Sequence, residues 1–362
     1  MQRRSTMREN ATLTAGLDLG DRRSQICMID ESLAVVEESK IPTTRTGMER
    51  YFRAREPMRV ALEVGTHSRW VSRALEELGH EVVVANPRKL ALIYKSHQKT
   101  DRADAELLAR FGRLDPNVLS PIRHRGPDAQ RGLTLIRSRD VLVQARVKLI
   151  NSVRGTVKAH GARLPTKATD RFHTVSDEIP EDIRESLSPI MACIEKLSEE
   201  IRACDKTLEA MANEDVHVEA LRQVSGVGPV TALAFLWTIE DPDRFPDGRT
   251  VSAYLGLCPR LDQSGAQDRQ LPISKVGDPY LRRLLVGSAH YILGPFGPDT
   301  DLREWGLAIA ARGGGNAKKR AVVAVARKLA VFLYALWKSR ATYEPLRQRQ
   351  RQTCAHAAVS PA

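Results

Sequence analysis

The chain has 362 residues and no pair of cysteines at metal-ligand spacing. Its five cysteines (Cys27, Cys193, Cys204, Cys258 and Cys354) are odd in number and scattered, which argues against a disulfide framework and against a zinc site. No apolar run approaches the roughly 20 residues that a membrane span needs. The N-terminal MQRRSTMREN is basic but has no apolar stretch behind it, so it does not read as a secretory signal. Acids are the minority charge, 44 against 56 Lys+Arg, for a net charge of +12 and a pI near 9.7. Charged residues make up 28% of the chain, an ordinary share, so the excess is one of sign. An excess of that sign without a membrane anchor points to nucleic acid as the partner and to the cytoplasm as the compartment.

Against this basic background four carboxylates stand out. Asp18 lies in GLDLG, Glu63 in ALEVGTHS, and Asp101 with Asp104 in KTDRADAELLA. The runs 12–19, 24–30 and 33–41 are β-rich and separated by turn residues, the pattern of two consecutive hairpins. A helix near 46–56, the strand RVALEV at 59–64, a helix at 68–79 ended by Gly79, the strand EVVVAN at 81–86 and a helix at about 102–113 follow. Three meandering strands followed by alternating helices and strands is a ribonuclease-H-like order, with the first and fourth strands side by side. That order makes Asp18 and Glu63 neighbours at two strand ends. Asp101 and Asp104, three apart, share one face at a helix start. Carboxylate oxygens so gathered suit Mg²⁺ or Mn²⁺. Each acid alone has a plainer role, as a turn former or an N-cap. Glu63, inside an apolar strand, is the hardest to explain that way. The basic residues around the acidic pair (Lys95, His97, Lys99, Arg102) are candidates for holding a phosphodiester, or a solvated loop.

From Asp128 to about Asn213 the pattern is helical. Residues 131–161 and 189–212 form two long amphipathic helices, separated by a polar stretch from Leu164 to Pro189. This suggests an antiparallel hairpin or coiled coil. GVGP, in LRQVSGVGPVTALAFLWTI (221–239), has the form of a helix-hairpin-helix turn, where Gly226 and Gly228 let backbone amides approach a phosphate. A tight interhelical turn is the plain alternative. Farther on, Ser264-Gly265 reads as a polar loop, followed by Lys275 and the Arg282-Arg283 pair as candidate nucleic-acid contacts. A basic-ended helix covers 316–338, and from about Thr342 the chain reads as a polar tail.

GLDLG, ALEVGTHS, KTDRADAELLA, VSGVGPVTA, YLGLCPRLDQSG and ISKVGDPYLRRLLV, in this order, resemble the DEDD transposases of the insertion sequence 110 family, some of which are bridge-RNA-guided recombinases. The resemblance spans about residues 12–340. It implies a RuvC-like catalytic domain (1–122), a helical coiled-coil segment (123–215), a mainly α C-terminal transposase domain with the helix-hairpin-helix-like motif (216–341) and a tail (342–362). It maps the metal-binding acids onto Asp18, Glu63, Asp101 and Asp104, and a serine nucleophile onto Ser264, with Ser252 and Ser274 as weaker candidates. Donor and target DNA, a guide RNA, a homodimer or tetramer, and a bacterial, nucleoid-associated protein are further implications. Two rival readings have other requirements. A RuvC-like junction endonuclease would hydrolyse DNA with water and leave Ser264 structural. An actin-like sugar kinase, suggested by GLDLGDRRS, needs a second Asp-x-Gly loop and a Gly-rich adenosine motif, neither of which is found.

Overall fold

The computed structural model describes residues 12–87, 100–264 and 267–347, with 261–264 and 267–270 described through their backbone alone. The chain divides into two compact units between His124 and Arg125.

The first unit is built on a five-stranded sheet. Its elements are β1 (Thr14–Asp18), β2 (Arg23–Ile29), β3 (Val35–Pro42), α1 (Arg45–Phe52), β4 (Arg59–Glu63), α2 (Ser68–Glu77), β5 (Glu81–Ala85) and α3 (Asp101–Leu114). The strand order is β3-β2-β1-β4-β5. β2 is antiparallel to both of its neighbours, whereas β4 is parallel to β1 and β5 parallel to β4. The adjacency of the first and fourth strands expected from the sequence is present. The β2–β3 reversal is held by Asp30, whose carboxylate accepts the amides of Ser32 (2.8 Å) and Ala34 (3.0 Å). Thr44 caps α1 by accepting the Gly47 amide at 3.0 Å.

Period-two alternation along the strands separates two faces. One presents Leu17, Ile26, Met28, Val60 and Leu62 to Met48 and Phe52 of α1 and to Val71 and Leu75 of α2. The other presents Cys27 and Ile29 to Ala105 and Ala109 of α3, and Ala61 and Val83 to Leu108 of the same helix. Among the described residues the sheet is thus sandwiched between α1 with α2 on one face and α3 on the other.

The second unit is mostly helical. Two long helices, α4 (Pro127–Ala159) and α5 (Glu181–Glu214), run antiparallel, since Arg139 pairs with Asp205 while Arg146 donates to Ser198 at 3.1 Å. Between them a 3-10 stretch, Thr169–Glu178, plugs Phe172 and Val175 into the shared core. This corrects the polar-stretch expectation for 164–189. Helix α5 starts eight residues before Pro189 and carries that proline inside, because Ile183, Leu187 and Met191 keep one buried stripe running past it. Then come α6 (Val216–Arg222), α7 (Pro229–Ile239), α8 (Gly248–Tyr254), a hairpin of β6 (Pro259–Ser264) and β7 (Gln267–Ile273), α9 (Pro279–Leu293), α10 (Asp301–Ala310) and α11 (Ala317–Ser339). Helix α7 is buried along nearly its whole length and shares one core cluster with Leu281 and Leu285 of α9 and Leu329 and Leu333 of α11. Among the described residues no helix is long and apolar enough to cross a membrane.

Candidate active site and nucleic-acid interface

The four acids are positioned by backbone register. On the parallel ladder Leu17 stands opposite Leu62, and Asp18 and Glu63 are the next residues on each strand. Leu17 and Leu62 belong to the α1/α2 face. Alternation therefore turns Asp18 and Glu63 toward the α3 face, as it does Gly16 and Ala61. Helix α3 lies directly on that face. A Cβ built on Gly16 would stand 1.9 Å from the Ala105 carbonyl oxygen and 2.4 Å from the Ala109 nitrogen, so helix backbone rests on strand backbone with no room for a side chain. At the other end of the helix, a Cβ on Gly112 would meet Ala61 at 2.8 Å and Thr14 at 3.6 Å. Helix positions rise as strand positions fall, so α3 runs antiparallel to β1. Its first turn, with Asp101 and Asp104, comes to the strand end that carries Asp18 and Glu63.

That first turn is well specified. The Thr100 hydroxyl accepts the Ala103 amide at 3.2 Å, and two acids beside a helix N-terminus are stabilised by its exposed N–H dipoles. Asp101 is exposed, and Asp18, Glu63 and Asp104 are half-buried. Four carboxylates offer the hard oxygen donors that Mg²⁺ prefers, and this chemistry fits a divalent cation. Among the described residues, no three acidic, histidine or cysteine side chains form a ready-made metal cluster. The backbone register brings the four acids to one edge of the sheet.

A neighbour not singled out in the sequence lies at the start of α2. His67 Nδ1 accepts the Trp70 indole N–H at 3.1 Å, which leaves Nε2 to carry a proton 3.6 Å from Asp21. Its only sequence signal was its place four residues after Glu63. Of the basic candidates, Arg102 donates to Glu38 on β3 at 2.6 Å, while Lys95, His97 and Lys99 lie outside the described residues.

In the second unit Ser264 ends β6 and pairs in register with Gln267 on β7. The polar loop expected there is therefore a strand end in an antiparallel hairpin. Ser252 is fully buried, and its hydroxyl donates to the Gly248 carbonyl at 3.0 Å within α8. Ser274, just after β7, is half-buried and donates its amide to the Cys258 carbonyl at 2.9 Å. Lys275 is exposed and sits in the left-handed region at φ 56°. The Arg282-Arg283 pair is engaged within the protein. Arg282 donates to the carbonyls of Leu255 (3.0 Å) and Val276 (2.6 Å). Arg283 pairs with Asp140 of α4 at 2.5 Å and lies over the Tyr280 ring. Asp278 anchors the start of α9. Burial alone would raise its carboxyl, but the Leu281 and Tyr280 amides and Arg137 at 2.8 Å hold it below the usual range.

The GVGP motif forms the turn between α6 and α7, with Gly226 left-handed at φ 84° and Gly228 as the N-cap of α7. Among the described residues no side chain caps α7, and Pro229 has no N–H, so the amides of Val230 and Thr231 have no partner at its N-terminus.

Comparisons with known proteins agree with the order of these elements. A DEDD insertion-sequence-110 family model, described as a transposase, matches residues 15–161, and the transposase IS116/IS110/IS902 family model matches 218–298. A probable family 20 transposase of Pseudomonas aeruginosa is 30% identical over 91% of this chain and 98% of its own length. The chain belongs to the IS110 family of transposases. A transposase for insertion sequence element IS1111A from Coxiella burnetii is 29% identical over 94% of this chain and 93% of its own length. A pilin gene-inverting protein of Moraxella lacunata is 25% identical over 71% of this chain and 72% of its own length. Membership of an insertion-sequence transposase family sets aside the sugar-kinase reading.

Proposed function

We propose that this transposase cuts and rejoins DNA by transesterification, with Ser264 as the attacking group and Asp18, Glu63, Asp101 and Asp104 as the holders of divalent metal in a RuvC-like domain. The observation that carries the proposal is the backbone register that brings four acidic residues to one sheet edge of a chain with net charge +12. Acids gathered beside a polyanionic substrate repel it unless a cation lies between them. Mg²⁺ or Mn²⁺ bound there would supply electrostatic stabilisation of charge on the phosphodiester oxygens. Ser264 Oγ forms a bond to phosphorus and the bond from phosphorus to the 3′-oxygen breaks. The products are a phosphoserine linked to the DNA 5′ end and a free 3′-hydroxyl, the serine proton passing by way of a base or water to the departing 3′-oxygen. Attack by a 3′-hydroxyl of another strand reverses the step and joins the DNA. The second unit contributes Gly226, Gly228, Lys275, Arg282 and Arg283 as backbone contacts, and the first unit Lys99 and Arg102. The hairpin of α4 and α5 serves as a coiled-coil arm in a homodimer or tetramer. A structured guide RNA that reads donor and target by base pairing completes the proposal, together with a nucleoid-associated place in a bacterial cytoplasm.

The test is denaturing electrophoresis of cleavage reactions. Wild type should give a DNA-bound protein band that survives denaturant and vanishes with protease. Ser264→Ala should lose that band and recombination while still binding DNA, and Asp18→Ala or Glu63→Ala should lose both and stay folded. Cleavage without an adduct, unchanged in Ser264→Ala, would replace this mechanism with the hydrolytic junction-endonuclease reading. Sequencing RNA that co-purifies with the protein from cells carrying its element tests the guide.

A further inference from the structure

The β6–β7 hairpin forms a sheet of two strands, bordered by no other strand among the described residues. A lone pair of strands is at best marginally stable in water, so its place is set by what holds its feet. The chain enters it through residues 255–258 and leaves through 274–277, and these two segments are fastened to each other. The Ser274 amide donates to the Cys258 carbonyl at 2.9 Å, and the Lys275 amide to the Gly256 carbonyl at 3.1 Å. Gly256 and Gly277, both left-handed at φ 69° and 79°, lie where the segments cross backbone on backbone. A Cβ on Gly256 would stand 2.1 Å from the Val276 carbonyl oxygen, and one on Gly277 2.1 Å from that of Tyr254.

Arg282 closes this crossing. Its Nη1 donates to the Leu255 carbonyl at 3.0 Å on the incoming segment and to the Val276 carbonyl at 2.6 Å on the outgoing one. One cationic nitrogen thus bridges the two feet, and hydrogen bonds from a charged donor are the stronger kind. The arginine is itself projected from a fixed base. It lies one turn into α9, where its amide donates to the Asp278 carbonyl at 3.3 Å. The Asp278 carboxylate caps that helix on the Tyr280 and Leu281 amides and takes Arg137 of α4 at 2.8 Å. Removing the guanidinium leaves the two carbonyls of the crossing without their common donor.

We infer that Arg282 is a positioning residue for strand cleavage: it latches the feet of the hairpin and thereby fixes where the Ser264 end stands. The inference rests on the reading of Ser264 as the attacking group. It adds to the backbone contact assigned to Arg282 a second role that can be separated from it. The leverage is geometric. Ser264 stands five residues beyond Pro259, about 16 Å along the strand. At that length a tilt of about 4° at the feet carries the Ser264 end by about 1 Å. Misplacement of a reacting group by about 1 Å can cost about 100-fold in rate. In this role Arg282 touches no reacting atom and acts through the hairpin.

The experiment follows the covalent protein–DNA adduct in single turnover, with full-length protein purified from cells carrying its element in excess over a labelled duplex of the element's end. Arg282→Met keeps the length of the side chain and removes its donors, whereas Arg282→Lys restores a nitrogen able to meet both carbonyls. Arg282→Met should lower the rate constant at saturating protein about 100-fold. Its half-saturating concentration should rise by no more than about tenfold, the scale of one hydrogen bond to a charged group. The final amount of adduct should match wild type, and Arg282→Lys should recover most of the rate. Amide exchange in peptides covering 271–277 should quicken in Arg282→Met and not in Arg282→Lys, with melting temperatures near wild type. A wild-type rate constant in Arg282→Met, with or without weaker binding, would overturn the latch and leave Arg282 as a backbone contact. Less adduct formed at an unchanged rate constant would overturn it too, because that marks lost folding and not a misplaced serine. If wild type forms no adduct, the serine mechanism falls and the latch falls with it.

Discussion

The seating of α3 on β1 makes Gly16→Ala a stringent test of the acid site. The new methyl group would lie 1.9 Å from the Ala105 carbonyl oxygen, where ordinary contact begins at 3.4 Å, so the helix has to rise by about 1.5 Å. Both obstacles nearest the methyl are backbone atoms, and no side chain can swing aside to relieve them. Overpacking of this kind costs about 1–3 kcal/mol. The functional cost should be larger, because Ala105 directly follows Asp104 and a lift at this point carries the acidic turn away from Asp18 and Glu63. Misplacement of a reacting group by about 1 Å can cost about 100-fold in rate. Gly112→Ala is the comparison. Its methyl would meet the Ala61 side chain at 2.8 Å, at the opposite end of the same helix. It should lose stability, by about 1 kcal/mol, while strand cleavage stays within a few-fold of wild type. Stability is read by denaturant titration with hydrogen exchange followed in peptides from β1 and α3, and function by the rate of strand cleavage. Equal cleavage losses in variants of equal stability would show that the acid end has no special place. A Gly16→Ala protein with wild-type exchange and wild-type cleavage would refute the seating of the helix, and with it the convergence of the acids.

Two further outcomes follow from buried groups. His80, nearly fully buried, accepts the Met58 amide on Nδ1 and directs Nε2 at the Phe52 carbonyl; burial depresses its pKa below 6.5. The unfolded chain therefore binds the proton first on acidification: this contribution is complete above about pH 6.5 and is lost as pH falls through the lower folded value. His80→Gln should flatten stability across that window, and an unchanged acid limb in denaturant melts would count against it. Cys27, buried under α3, is pushed up to about 11 by burial and then by Glu106 and Glu38, whereas Cys193 is exposed on α5. Iodoacetamide at mildly alkaline pH should label Cys193 in the native protein and Cys27 only on unfolding, as peptide mass spectrometry would show.

The first unit was legible because its signals are local and agree with one another. TAGLD and RVALE are short apolar runs that end in acids, and Thr100 precedes the acidic pair as a ready N-cap. Strand order then turned two distant acids into neighbours. The sequence did not reveal that Gly16 is the bearing on which α3 rests, since a glycine in a strand reads the same whether a helix or solvent lies above it. In the second unit the β6–β7 hairpin escaped notice because PRLDQS and QDRQLPI lack the apolar alternation that marks a strand, and each contains a proline. Pro189 misled in the other direction. It reads as a helix boundary, but a buried stripe on both sides of it outweighs one missing hydrogen bond.

Charge is where sequence and structure part most clearly. Arg282 and Arg283 read as a basic pair, yet neighbours on a helix point about 100° apart. One therefore reaches back to the carbonyls of Leu255 at the end of α8 and Val276 after β7, and the other reaches Asp140 on another helix. Arg102 likewise meets Glu38, a residue 64 positions earlier in the sequence. Partners this distant cannot be read from a local run of basic residues. A net charge of +12 implies that the protein meets a polyanion. Where a phosphate is held depends on donors the fold has left open, and most of the arginines described around the two sites are already engaged within the protein.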